Sequence, residues 1–188
     1  MPSLTLLIPA VLACALLVWV ALAYNRLVRQ RNQVRASWAQ IDVQLKRRHD
    51  LVPSIVETVR AYAAHERETL EAVVTARARA AAAGAEGADR AGAENQLTRA
   101  LGRLFALREA YPDLKADRNF AQLQEELART EDKIAYARQF YNSAVQTLSN
   151  TVHSVPTNLV ARLFGFRPPA YFEIESEERG PVQVRFSA

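Results

Sequence analysis

Cysteine, histidine and glycine are scarce in this 188-residue chain, which holds one Cys, three His and six Gly. A single Cys excludes a disulfide framework and any Cys-based metal site. Histidines at 49, 65 and 153 leave little material for metal or general-base chemistry. Glycine is absent from 1–83 and again from 103–164, so a strand-and-turn architecture has almost nowhere to place its turns. A predominantly β protein, a disulfide-rich scaffold and a zinc finger are excluded together. What the chain has instead is 33 Ala and 21 Arg, a composition that forms helices readily. Its length suits one domain and leaves little room for two.

The net charge of +4 is unevenly spread. Residues 1–23 carry no charged side chain, residues 24–60 hold eight basic against three acidic groups, and residues from 61 onward hold 16 against 17. A nucleic-acid partner would call for a basic face on the folded domain, and none is expected here.

Leu4 to Tyr24 is 21 residues without charge, interrupted only by Thr5 and Pro9. As a helix it would be about 31 Å long, close to the hydrocarbon thickness of a bilayer. Trp19 and Tyr24 lie toward its end, where amphipathic rings sit at headgroup level. Arg26, Arg29, Arg31 and Arg35 follow at once, and no Lys or Arg precedes the span. The positive-inside rule then places the N-terminus outside and the remainder in the cytoplasm, as a single-pass protein of the inner membrane. Ala21-Leu22-Ala23 also fits the cleavage site of a signal peptide. The missing positive n-region, the long apolar run and the arginines beyond it favour a retained anchor. Cys14 suggests a lipoprotein, but apolar residues continue for nine positions after it, which makes it a core or lipid-facing residue. The four membrane-proximal arginines could grip anionic headgroups, whereas Lys46-Arg47-Arg48 lie about 35 Å further along a straight helix, as a solvated or inter-helix set.

From Tyr24 to Ala83 the pattern is helical, with an apolar stripe at Leu27, Val34, Trp38, Ile41, Leu45, Val52, Ile55, Val59 and Tyr62. Arg31 and Arg48 occupy two places in the same series, and Leu70, Val73 and Val74 continue it. Pro53 should kink this helix or start a new one capped by Asp50. Residues 84–92 form the clearest turn, with three of the six glycines. A shorter helix with Leu97, Leu101, Leu104 and Phe105 ends before Pro112, and residues 111–117 read as a loop with Asp117 as N-cap. The last long helix steps strictly by three and four from Phe120 to Leu148, a coiled-coil-grade seam. Pro156 opens a short helical segment that Gly165 ends. Beyond it, segments 171–174 and 182–186 form two short strands or an extended, weakly ordered tail.

Several of these strings resemble the LemA family of bacterial membrane-anchored proteins. They include Tyr24-Asn25-Arg26-Leu27-Val28, Trp38 with Gln40 to Arg48, Asp50-Leu51-Val52-Pro53, Tyr111 to Ala116, and Tyr141-Asn142. The resemblance runs from about 24 to 173 and departs at the Ala/Gly turn and the tail. It implies an N-terminal transmembrane helix, a small outside N-terminus and a cytosolic helical bundle, with no settled activity.

Catalytic signatures are missing. The residues three before each His are Lys46, Tyr62 and Asn150, so no Glu-x-x-His di-iron motif exists. His65-Glu66 begins like a zincin, but Thr69 stands where the second ligand belongs. His49 and His65 read as helix-surface or interface histidines. No catalytic residue, cofactor, metal or small-molecule substrate is expected.

The expectation is therefore an all-α protein. A transmembrane anchor spans 1–24, an elongated antiparallel helical bundle covers 25–164, and a tail occupies 165–188. Its function would be non-enzymatic: a membrane-anchored interaction or scaffold protein with an unidentified protein partner, possible self-association included. The alternative is a lipid-contacting, membrane-organising protein whose partner is the bilayer, acting in envelope maintenance or membrane-compartment biogenesis. Two layouts are open, a hairpin turning at 84–92 or a four-helix bundle with an extra turn near His65. In both, facing residue numbers on the first and last long helices should sum to about 175–180. Trp38 then faces Tyr141, Asp42 faces Arg138 and Arg48 faces Glu131, a set that could fix inter-helix register. The blander alternative is solvated charges matched by accident.

Overall fold

The computed structural model of the protein describes residues 2–84 and 88–173. Its helices are α1 (Pro2–Tyr62), α2 (Arg67–Ala82), α3 (Ala88–Ala106), α4 (Pro112–Ala116), α5 (Arg118–His153) and α6 (Thr157–Leu163), with a 3₁₀ turn at Leu107–Glu109. Among the described residues there is no strand. The chain is all-α, with a long apolar N-terminal helix and bundle-like packing beyond it.

It divides into two compact units, Met1–Gln44 with Lys133–Tyr171, and Leu45–Asp132 with Phe172–Ala188. The core of the first is built on Leu27, Val34, Trp38 and Ile41 from α1, Ile134, Tyr141, Val145 and Leu148 from α5, and Val160 and Ala161 from α6. The second gathers Val52, Ile55 and Val59 of α1, Leu70 and Val73 of α2, Leu97, Leu101 and Leu104 of α3, Leu114 of α4, and Phe120 and Leu127 of α5. The long helices contribute their stripe positions, apart from Tyr62, which is 40 % exposed, Arg31 and Val74, which face out, and Ala144, which is half-buried beside a buried Val145.

The structure decides between the two layouts, because α1 stops at Tyr62 and α2 starts at Arg67. No Gly or Pro marks this turn. Two tyrosines hold it from outside: the Tyr62 hydroxyl donates to Asp117 at 2.8 Å, and the Tyr111 hydroxyl donates to Glu66 at 2.9 Å. These charge-assisted bonds tie both ends of the break to the 111–117 segment.

Three boundary expectations are corrected. Pro53 starts no new helix, since α1 runs through it, and Asp50 is an exposed mid-helix residue, not a cap. Proline cannot donate to the carbonyl four residues back, which strands the His49 carbonyl. Arg77 Nε of α2 donates to that carbonyl at 2.7 Å, so the orphan is satisfied and the helix continues. Residues 88–92 belong to α3, and Gly92 lies inside it with open space where a Cβ would sit. Residues 112–116 form a helical turn, favoured by Pro112 at its first position and by burial of Leu114. Asp117 does cap α5, accepting from the Phe120 N–H at 2.7 Å.

Gly165, at φ +68°, lies in the left-handed region past the end of α6. The Phe166 N–H returns to the Ala161 carbonyl at 2.9 Å and the Gly165 N–H to that of Arg162, a Schellman closure. The described part of the tail is packed: Phe166 and Phe172 are buried, and the Tyr141 hydroxyl donates to the Ala170 carbonyl at 3.0 Å. The expected strand at 182–186 and the end of that at 171–174 lie outside the described residues.

Candidate functional site

In the second unit, an Arg placed in an apolar stripe has to find partners or leave the core. Arg48 stays, fully buried, and becomes the hub of a polar cluster across α1, α3 and α5. Its Nη2 pairs closely with the Glu94 carboxylate and also meets the Glu94 carbonyl, at 3.2 Å. Its Nη1 donates to Glu131 at 2.8 Å and to the Thr98 hydroxyl at 3.1 Å. His49 Nε2 lies 3.0 Å from the other Glu94 oxygen. Burial by itself would push the Glu94 carboxyl up, but the His49 hydrogen bond and the Arg48 guanidinium outweigh it and hold it below the usual carboxylate range. An ionised carboxylate only accepts, so Nε2 of His49 carries the proton. Chemically this is an ion pair buried at its centre and open at its rim: Arg48 and Glu94 have no exposure, Glu131 reaches solvent, and Nε of Arg48 is buried without a partner.

Among the described residues no group of three or more His, Cys, Asp or Glu is placed to hold a metal. A groove of about 410 Å³ between α2 and α3 is lined by Glu68, Glu71, Arg79 and Arg103 with Thr75 and Gln96.

In the first unit, the apolar end and the charges are sharply sorted. The early part of α1 is long and apolar enough to cross a membrane. From Pro9 to Val18 the side chains are exposed, Leu12 by 65 % and Leu17 by 70 %, unlike those of the core helix of a globule. Arg26, Arg29, Arg31 and Arg35 follow on α1, all exposed, and the Arg31 guanidinium lies 5.0 Å from the ring centre of Phe166. Tyr24 meets Phe164 and Phe166 edge-on at 4.8 and 5.6 Å. Further along, Trp38 and Tyr141 meet edge-on at 5.2 Å, and Gln30 donates to Thr151 at 2.9 Å. Asp42 is exposed on α1 and Arg138 half-buried on α5.

The stripe from Trp38 onward and the interrupted helices fall within a known sequence profile, which begins beyond the apolar run and its four arginines. The LemA family profile matches residues 37–186. The chain belongs to the LemA family. It is 25 % identical over 160 residues to Protein LemA of Metamycoplasma hominis, covering 85 % of this chain and 73 % of that protein. Magnetosome protein MamQ 2 of Paramagnetospirillum magneticum is 25 % identical over 193 residues, covering 89 % and 71 %. Magnetosome protein MamQ of Magnetospirillum gryphiswaldense is 24 % identical over the same shares.

Two features of this LemA-family chain escaped sequence reasoning. Glu94 sits next to the glycine-rich turn and gave no periodic signal; only the stripe position of Arg48 hinted that a buried acid must exist. Charge was also misplaced by reading along the chain. Folding joins Lys133, Arg138, Arg162 and Arg167 to Arg26, Arg29, Arg31 and Arg35, so the first unit holds eight basic side chains against Asp42 alone.

Proposed function

We propose that this LemA-family protein is a non-enzymatic interaction protein, anchored in the bacterial inner membrane by the start of α1, with its N-terminus outside and its helical units in the cytoplasm. The observation that carries the anchor is the exposed apolar run leading without a break into a packed helix and followed by arginines on one flank only. Retention is favoured over cleavage because Ala23 is buried at the end of the apolar run and α1 continues unbroken through it to Tyr24, whose ring packs on Phe164 and Phe166 just beyond α6. A non-enzymatic role fits the Arg48–Glu94 pair, which is buried on both sides and keeps these two charges away from any substrate. A protein partner fits Tyr136 and Phe140, rings 4.7 Å apart on α5, whose exposures of 64 % and 48 % form an aromatic anchor of the kind interfaces use.

Affinity capture of the full chain from mild detergent tests this reading. A stoichiometric protein that is lost with Tyr136→Ser and Phe140→Ser supports it, and a clean preparation without partner overturns it.

The second reading, a membrane-organising protein, is favoured by the one-sided charge of the first unit and by relatives named as magnetosome proteins. Remodelling of vesicles by the pure protein would support it.

A further inference from the structure

α6 buries the wrong amount of itself for a soluble surface helix. Val160 and Ala161 face the first unit's core, while Leu159 at 65 % and Leu163 at 76 % exposure, one turn apart, point the other way with Arg162 beside them. Val155 before the helix is 81 % exposed, and Phe164 after it 49 %. Scattered apolar residues on a surface need no explanation, but four within ten positions make a patch.

The position of this patch identifies what covers it. Phe164 touches Tyr24, the aromatic residue at the end of the apolar run of α1. On α1 the exposed apolar surface reaches Leu22, so the two surfaces are continuous through Tyr24. Arg26, Arg29, Arg162 and Arg167 are exposed around this level, and no acidic residue occurs in 1–41 or 133–172.

We infer that residues Val155–Phe164 form a second, interfacial membrane contact, with Val155, Leu159, Leu163 and Phe164 seated among the acyl chains of an anionic bilayer and the neighbouring arginines on its headgroups. An apolar face flanked by arginine is the pattern of a helix lying in the interface plane. This rests on the reading that α1 spans the same bilayer, which brings α6 to the lipid surface without separate recruitment and adds an effective-concentration advantage to a short patch.

The full chain tests it in a Cys14→Ser background, reconstituted into equimolar phosphatidylcholine and phosphatidylglycerol vesicles. One environment-sensitive fluorophore is placed in turn at Leu12→Cys, Leu159→Cys, Leu163→Cys and, as an aqueous control, Ala135→Cys, which is exposed on α5. Lipids carrying nitroxides near the headgroup end of the chain should quench roughly half of the emission at 159 and 163, and almost none at 135. Lipids with nitroxides deep in the chain should quench position 12. Arg162→Gln with Arg167→Gln should weaken quenching at 159 and make it more salt-sensitive. Quenching at 12 with a water-exposed spectrum at 159 and 163 overturns the interfacial contact and leaves the span intact. A blue-shifted probe at 159 without nitroxide quenching places protein on this face, a second copy included, and also overturns it. An unquenched probe at 12 removes the span, and the α6 contact with it.

Discussion

Arg48 and Glu94 are individually unfavourable in a helical core, and each is tolerated because the other is there. Removing one partner of a buried pair typically costs about 3–5 kcal/mol, because a charge is left without compensation. Glu94→Gln tests the linkage. The folded carboxyl titrates below its ordinary range, so its contribution is complete above that range and drains away as pH falls through the lowered folded value. The native protein should therefore lose stability in acid below about pH 4, and Glu94→Gln should be weaker at neutral pH with a shallower acid limb, as followed by circular dichroism in urea. Pro53 supplies a second residue-scale test. Arg77→Ala should leave the His49 carbonyl buried and unpaired, costing about 1–3 kcal/mol. Pro53→Ala restores the missing N–H donor, so it should recover part of that loss in the Arg77→Ala background while gaining less in the native one.

At the scale of elements, α1 and α5 run with a register visible in their contacts: Trp38 with Tyr141 in one unit and Arg48 with Glu131 in the other both join residues whose numbers sum to 179. The Arg48 link is more than the two-helix pair expected from spacing, because Glu94 of α3 shares it. Asp42 is exposed, so Asp42→Arg should cost less than about 1 kcal/mol by chemical denaturation. We propose that Asp42 faces Arg138, in which case the swap Asp42→Arg with Arg138→Asp recovers part of that cost. A double variant no better than the sum of the singles would remove this pair from the register set. Helix ends were legible where local chemistry sets them, as with the Asp117 cap and the Gly165 closure. The break at 63–66 was legible only as one of two layouts, because two long-range tyrosine bonds hold it and neither leaves a breaker residue behind.

At the scale of the whole molecule, the arginines on one flank of the apolar run should decide which side the helical units occupy. Changing Arg26, Arg29, Arg31 and Arg35 to Gln while adding three arginines before Leu4 should invert the protein. A C-terminal reporter that is active only outside the cytoplasm should then turn on, having been silent in the native chain. A native chain that already activates such a reporter, or a mature protein beginning at Tyr24, would refute the orientation.

Composition and periodicity sufficed for the all-α class, the apolar N-terminal helix and the buried stripes of α1 and α5, and the motif strings sufficed for the family resemblance, because each depends on residue type at short spacing. Tertiary structure alone decided what fills the gaps between those patterns. It brought Glu94 onto Arg48, Arg77 onto the carbonyl that Pro53 abandons, and Arg162 and Arg167 into the same unit as the arginines of α1. These partners are 28 or more residues apart in the chain, and a stranded donor, acceptor or charge specifies only that a partner must exist. Which residue answers is determined by the helices that folding brings alongside.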